Sequence, residues 1–333
     1  MTKITCPICA DGSVCHFAKA NDVEYFTSGR LFDFYRCDSC DILFIYPMLS
    51  DRLNEIYPSN YYSFHANAAD TLALRFKKRL DDRAFQAITK QLNGERLSAL
   101  DVGGGIGWLL DGLKRADSRI ADTTVVDIDA GAADVARAKG HNFHLTPIEG
   151  FETEKTFDLI LMLNLIEHVP DPIQILKKAK SLLSPGGLIW IKTPNYDSLD
   201  ARIFRYRSWG GYHTPRHFVL FTKPSFIRHC ESAGLHVLNC SYTQGAPFWT
   251  VSAINELKRV GLADVSAARP SLQNSLTPFF HLLFAAFDFV RMPFSKTSQM
   301  NCILTAQSST SETSSVTAIS RAKLGSSRIS GGA

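Results

Sequence analysis

The hydrophobic pattern divides the chain into a short front of alternating residues and a long middle where apolar runs and helical stripes take turns. Leu97-Ser-Ala-Leu-Asp-Val102, Thr123-Thr-Val-Val-Asp127, Phe157-Asp-Leu-Ile-Leu-Met-Leu163 and Leu188-Ile-Trp-Ile-Lys192 have the length of buried strands. Between them, residues 108–113, 131–140 and 173–183 space their apolar positions as helices do. Strands alternating with helices predict a doubly wound α/β sheet. Asn142-Phe-His-Leu145 is a weaker third strand, and residues 235–241 and 301–307 supply the sixth and seventh. An insertion over about 246–298 separates those two and carries helical patterns at 251–260 and 276–292. The second is apolar nearly all round, and at that length it reads as a buried or interfacial helix rather than a membrane span.

The first apolar run ends in candidate chemistry. Asp101-Val-Gly103-Gly-Gly105-Ile-Gly107 turns from strand to helix, and glycines there allow positive φ and let a ligand lie on the backbone. Open α/β sheets bind ligands at the carboxyl ends of their strands. A dinucleotide fingerprint needs its third glycine where Trp108 stands, so the spacing argues against a pyrophosphate. About twenty residues on, Asp127 closes the next strand, placed to accept hydrogen bonds from both hydroxyls of a ribose. Asp129 is the other acid in reach.

The front of the chain carries two Cys-x-x-Cys knuckles, Cys6–Cys9 and Cys37–Cys40. Four thiolates offered in pairs close a tetrahedral zinc site with no open position, which marks a structural metal. Residues 23–27 and 32–36 read as two short strands of a ribbon too small to fold on its own core, so metal binding supplies its folding free energy. Cys15 and His16 also lie inside the loop, as spare ligands or, more simply, as ordinary loop residues. The expected organisation is a zinc ribbon over 1–46, an aromatic and helical lid or linker over 47–92, a main domain over 93–307, and a Ser/Thr-rich disordered tail over 308–333. The basic cluster at 75–79 reads as a solvated helix face.

A chain of 333 residues has room for one large domain with appendages. Its formal net charge of +4 is too mild to argue for nucleic acid. Residues 1–6 hold no apolar core of a secretory signal, and no apolar run reaches the ~18 residues of a spanning helix. A cytoplasmic protein with reduced cysteines is the expectation.

Asp-x-Gly-x-Gly-x-Gly at 101–107 resembles the first motif of class I S-adenosylmethionine (SAM)-dependent methyltransferases. The order of zinc ribbon, Tyr57-Pro-Ser-Asn-Tyr-Tyr62 and glycine corner resembles a bacterial family of zinc-ribbon methyltransferases. Asn164-Leu-Ile-Glu-His-Val-Pro-Asp-Pro172 resembles the Glu-His-Val-x-Asp-Pro element of ubiquinone-type O-methyltransferases. The resemblance implies a Rossmann-like seven-stranded sheet with its last strand antiparallel, SAM as donor and structural zinc. It implies cofactor contacts at Asp101, Gly103, Gly105, Gly107, Asp127 and Asn164. Where the family carries an acid for the adenine amino group, this chain has Pro147, which leaves backbone around Ile148 and Glu149 for that contact.

The implied activity is O- or C-methylation of a small-molecule acceptor such as a sugar nucleotide or another envelope or secondary-metabolite intermediate. Glu167 and His168 emerge at the carboxyl end of the fourth strand, His168 as proton acceptor or as scaffold. The loop at 209–222 adds His213, Arg216 and His217, with His217 a second candidate base and the Arg216 fork suited to a phosphate or carboxylate. Enzymes that methylate nucleobase amines resemble one another in an Asn/Asp-Pro-Pro-aromatic loop, which Asn164-Leu-Ile-Glu167 lacks. An RNA methyltransferase would want a basic ribbon, whereas this one holds Asp11, Asp22, Glu24, Asp33, Asp38 and Asp41. A SAM-binding scaffold without catalysis is the remaining alternative. The apolar 276–294 segment is open to three roles: cover for the acceptor, a homo-oligomer face, or peripheral contact with a membrane.

Overall fold

The computed structural model describes residues 4–58 and 72–307. The predicted aromatic pair at 61–62 and the tail at 308–333 lie outside the described residues. Three strands open the chain, β1 (Val14–Ala20), β2 (Phe32–Cys37) and β3 (Ile42–Tyr46), followed by α1 (Leu53–Ile56) and α2 (Leu72–Thr89). Strand and helix then alternate through β4 (Leu97–Val102), α3 (Trp108–Ala116), β5 (Ile120–Asp127), α4 (Ala130–Ala138), β6 (Asn142–Leu145), β7 (Phe157–Leu163), α5 (Pro172–Ser181) and β8 (Leu183–Pro194). The remainder is α6 (Leu199–Ile203), β9 (Val219–Phe221), α7 (Lys223–Ser232), β10 (Leu235–Thr243), α8 (Ala246–Arg259), α9 (Thr277–Arg291) and β11 (Gln299–Ala306).

Seven strands form the main sheet in the order β10-β11-β8-β7-β4-β5-β6. β4 pairs in parallel with β5 and β7, and β11 runs antiparallel to β8 and β10. This is the expected Rossmann-like methyltransferase sheet with its last strand reversed. The chain leaves β4 for β5 and β6 on one side, then returns to β7 on the other. That reversal opens a crevice at the carboxyl ends of β4 and β7.

Period-two alternation sends the central strands' side chains into two cores. Ala99, Leu159, Leu161 and Leu188 pack with α2, α3 and α4, through Phe85, Leu110 and Ala136. Leu100, Ile160, Met162 and Ile189 face the opposite way and share one core with Phe34, Ile42 and Ile45 of the first three strands. The ribbon is therefore fused to one face of the main sheet rather than hung from it. β9 completes the fusion by pairing antiparallel with β3, giving a four-stranded sheet β1-β2-β3-β9.

Residues 23–27 are not a strand. The Asp22 carboxylate accepts the backbone N–H groups of Glu24, Tyr25 and Thr27, and this local capping folds the segment into a turn. β1, which holds Cys15 and His16, takes the place of the predicted strand. β8 likewise begins at Leu183, before the Ser-Pro-Gly-Gly expected to precede it. Cys240 and Cys302 stand directly opposite each other across β10 and β11 and form a disulfide, where the sequence reading expected reduced cysteines. Among the described residues no helix is long and apolar enough to cross a membrane. α9 packs on α8 through Trp249 and Phe284, while Phe279, Leu282, Phe289 and Val290 face outward.

Candidate functional site

At the end of β4 the backbone makes the corner that the glycines predict. Gly103, Gly105 and Gly107 adopt φ of 71°, 51° and 76°. A Cβ on Gly107 would lie 2.4 Å from the His141 ring. Beneath the corner Asp101 is buried, its Oδ2 has no hydrogen-bond partner, and burial together with the Asp127 charge raises its pKa well above the carboxylate range. A buried polar atom left without a partner is costly, and a ligand that supplies one relieves the cost. Bare backbone above an orphaned carboxyl fits the adenosyl donor. Asp127 accepts the Gly105 N–H at 2.7 Å and the Asp129 N–H at 2.9 Å, and burial raises its pKa. Asp129 caps α4 by accepting the Gly131 N–H, which commits its carboxylate elsewhere. Ile148 is buried and Glu149 exposed in the short turn after β6.

The corner touches a second group of residues through Leu165, 3.0 Å from where a Gly103 Cβ would be. Asn164 ends β7 in the left-handed region at φ 58°. Its N–H donates to the Lys192 carbonyl at 2.7 Å, and its Oδ1 accepts from Gln299 Nε2 at 2.5 Å. Glu167 is fully buried; Oε2 accepts the Thr193 hydroxyl at 3.0 Å, and Oε1 has no partner. Burial pushes its pKa up to about 8, so it is a neutral acid near pH 7.

His168 Nδ1 lies 3.1 Å from the Arg216 carbonyl and 2.9 Å from the Tyr57 hydroxyl. A carbonyl can only accept, so Nδ1 carries the proton and Nε2 the lone pair. His217 donates in the same way from Nδ1 to the Gly211 carbonyl at 2.9 Å, with Nε2 4.0 Å from Glu167 Oε1. Burial, reinforced by neighbouring positive charge, lowers His168 to about 3 and holds His217 well below the usual imidazole value.

These side chains line a cavity of about 240 Å³ together with His213, Lys192 and Gln299. The insertion closes it with Phe248, Val251 and His281, and the ribbon contributes Glu24. A second cavity of about 320 Å³, at the seam between ribbon and α6, shares no lining residue with it. The structure thus brings Asn164, Glu167, His168, His213 and His217 together, with the glycines, Asp101 and Asp127 at the adjoining corner. Arg216 is turned away. Its guanidinium is fully buried, donates to Asp22 at 2.9 Å and lies 4.7 Å from the Tyr25 ring centroid, so Asp22 fills the fork that a phosphate was expected to take. Sequence reasoning missed Glu24 and Gln299, for no local pattern links them to positions more than a hundred residues away.

The four ribbon cysteines meet the geometry of a structural metal. Cys6 Sγ is 3.6 Å from Cys40 Sγ, and Cys9 Sγ is 3.5 Å from Cys37 Sγ, with all four sulfurs within 4.8 Å of one another. Zinc bonded to sulfur at about 2.3 Å needs tetrahedral edges of about 3.8 Å. The donor set and the spacing fit zinc.

A family model described as "Methyltransferase domain" matches residues 74–239. The chain is 28% identical over 215 residues to a ubiquinone biosynthesis O-methyltransferase of Nitrobacter winogradskyi, covering 58% of this chain and 78% of that one. It is 32% identical over 122 residues to the protein of the same name from a Bradyrhizobium species, covering 34% of this chain and 46%, about half, of that relative. Among solved structures it is similar to the plantazolicin methyltransferase BpumL in complex with SAH, at 16% identity and a TM-score of 0.45, over 70% of this chain and 85% of that one.

Proposed function

We propose, from the premise that this chain is a SAM-dependent methyltransferase, that it methylates a hydroxyl or acidic carbon of a small molecule held in the 240 Å³ cavity. The observation that carries the reading is the junction of the two halves. Glycine backbone with an orphaned acid lies on one side of Leu165, and buried imidazoles around a small cavity lie on the other. Bound SAM supplies a methyl already activated on a sulfonium, so the chain's own work is alignment and removal of the acceptor's proton. Gly103, Gly105, Gly107, Asp101 and Asp127 hold the donor, with Asn164 and the backbone of Ile148 and Glu149 completing that side. His168, His217 and neighbouring His213 stand around the acceptor, and neutral Glu167 donates a hydrogen bond to it.

The name of the relatives and the size of the cavity favour a small acceptor over a nucleic acid. We place the protein in the cytoplasm, where the ribbon thiolates hold zinc and the Cys240–Cys302 bridge is buried in the sheet, away from free thiols in solution. α9 lines the cavity with His281 and presents Phe279, Leu282 and Phe289 outward, which fits peripheral contact with a membrane that carries the acceptor. Mass spectrometry of cell extract incubated with enzyme and isotopically labelled SAM tests the reading. Label in a compound below about 1 kDa supports it, and label confined to RNA or protein overturns it.

A further inference from the structure

Four imidazoles line the cavity, and one of them has a carboxylate partner from a remote part of the chain. Glu24 Oε1 lies 2.7 Å from His213 Nδ1, with both side chains buried and both lining the cavity. His213 ends the short turn at 210–212 in the left-handed region, with φ 39° and ψ 43°. The ribbon braces the loop that follows. Asp22 holds the 22–27 turn through three backbone N–H bonds, and the fully buried Arg216 ties that turn to the 213–217 loop through Asp22 and the Thr27 hydroxyl. His168 and His217 have backbone carbonyls on Nδ1 instead. Carbonyls fix a tautomer and contribute far less than a carboxylate to stabilising an imidazolium.

We propose that Glu24 is a positioning residue that makes His213 the proton acceptor of the transfer step, so that the metal ribbon supplies half of a catalytic pair. This rests on the methyl-transfer reading above. The carboxylate accepts from Nδ1–H, which leaves the basic lone pair on Nε2. The acceptor's O–H bond breaks, its proton passes to Nε2, and the oxygen keeps the bonding pair and becomes the nucleophile. The imidazolium formed is held by the Glu24 carboxylate, then returns its proton to water. The buried triad histidine of serine hydrolases works on the same logic, with a carboxylate orienting the ring and steadying its charge. The titratable and charged groups around His213 include Glu24 and Tyr25 from the ribbon, Glu167 and His168 after β7, Lys192 from β8, Arg216 and His217 from its own loop, and His281 across the cavity.

The test uses the full-length protein and two readouts. Label transfer from SAM into extract is followed from pH 5.5 to 9, and His213 is titrated by NMR of ¹⁵N-histidine-labelled enzyme without acceptor. His213→Ala should lower transfer about 10²–10⁴-fold, the usual worth of a positioned base. Glu24→Gln should lower it at least about tenfold and move the acid limb of the rate profile to lower pH, because loss of the carboxylate makes the imidazolium harder to form. Glu24→Asp should recover part of the rate and of the limb. A Glu24→Gln enzyme with transfer within about twofold of wild type and an unmoved limb would overturn the proposal, as would a loss of rate with the limb unmoved. Should wild-type enzyme label nothing, the methyl-transfer reading fails by itself. The NMR midpoint of His213 then decides the pairing: lower in Glu24→Gln supports it, unchanged refutes it.

Discussion

The glycine corner draws on residues 101–107 and one acid on the neighbouring strand, whereas the cavity beside it gathers Glu24 from the ribbon, Glu167 and His168 after β7, His213 and His217 after α6, and Gln299 from β11. The corner is made of backbone. The donor recognition proposed for it would follow from glycine dihedrals and the end of a parallel strand, so a single contiguous stretch specifies the corner. The cavity is made of side chains that meet only after two sheets have packed on one core. Donor recognition can therefore stand while the acceptor side is disturbed, and the two halves should fail separately.

The widest separation comes from the metal. Removing zinc from Cys6, Cys9, Cys37 and Cys40 should release β1 to β3 from β9 and dissolve the acceptor side, since small metal ribbons draw most of their folding free energy from the ion. Chelator treatment should abolish label transfer and open the first 46 residues to protease while the main domain resists; equal digestion of both would remove the distinction. Next in size is Arg216→Ala, which leaves Asp22 buried without its partner. Breaking such a pair costs about 3–5 kcal/mol, read as a fall in denaturant midpoint, and a loss under 1 kcal/mol would mean that the pair does not hold the loop.

On the donor side, Asp127→Ala should weaken SAM binding by about 1.5–3 kcal/mol, the worth of charge-assisted hydrogen bonds. Unchanged affinity would remove Asp127 from the ribose. Smaller again is the pH effect of Glu167 on the acceptor side. Glu167 folds with a pKa of about 8 against its ordinary 4.5, so the folded state keeps a proton that the unfolded chain releases. The stability it lends is whole below about 4.5 and is lost as pH rises towards 8. His168, lowered to about 3 from 6.5, works in the opposite sense and lends stability that is lost as pH falls below 6.5. Between pH 6.5 and 8 His168 no longer acts, while Glu167 and the likewise raised Asp101 both favour the protonated fold, so stability should decline with pH in wild type and do so about 1 kcal/mol per pH unit less steeply in Glu167→Gln. Parallel melting profiles for the two would contradict the assignment. The smallest effect belongs to α9: Leu282→Ser with Phe289→Ser should leave stability within about 0.5 kcal/mol yet reduce sedimentation with phospholipid vesicles. Unaltered sedimentation would show that this face does not meet lipid.

The same contrast governs what could be read in advance. Apolar runs of strand length and the glycine spacing led to the sheet and the ligand corner, because each signal lies within one element; the reversed last strand came from the family resemblance. Glu167 and His168 were legible as residues at the end of a buried strand. The ribbon's internal order was not, since the Asp22 side chain competes with strand formation at 23–27 and nothing local shows that it will also meet Arg216. Asp22 and Glu24 read in the sequence as acids that disfavour RNA. Folded, they hold the 213–217 loop, and contacts such as the pairing of β3 with β9 bring them there.

Isothermal titration of S-adenosylhomocysteine into wild-type, Asp127→Ala and Glu24→Gln protein puts the division of labour to its most direct test. Affinity should fall about tenfold or more in Asp127→Ala and stay within about twofold of wild type in Glu24→Gln, whose label transfer nonetheless falls at least about tenfold. Equal weakening of donor binding in both variants would contradict the account.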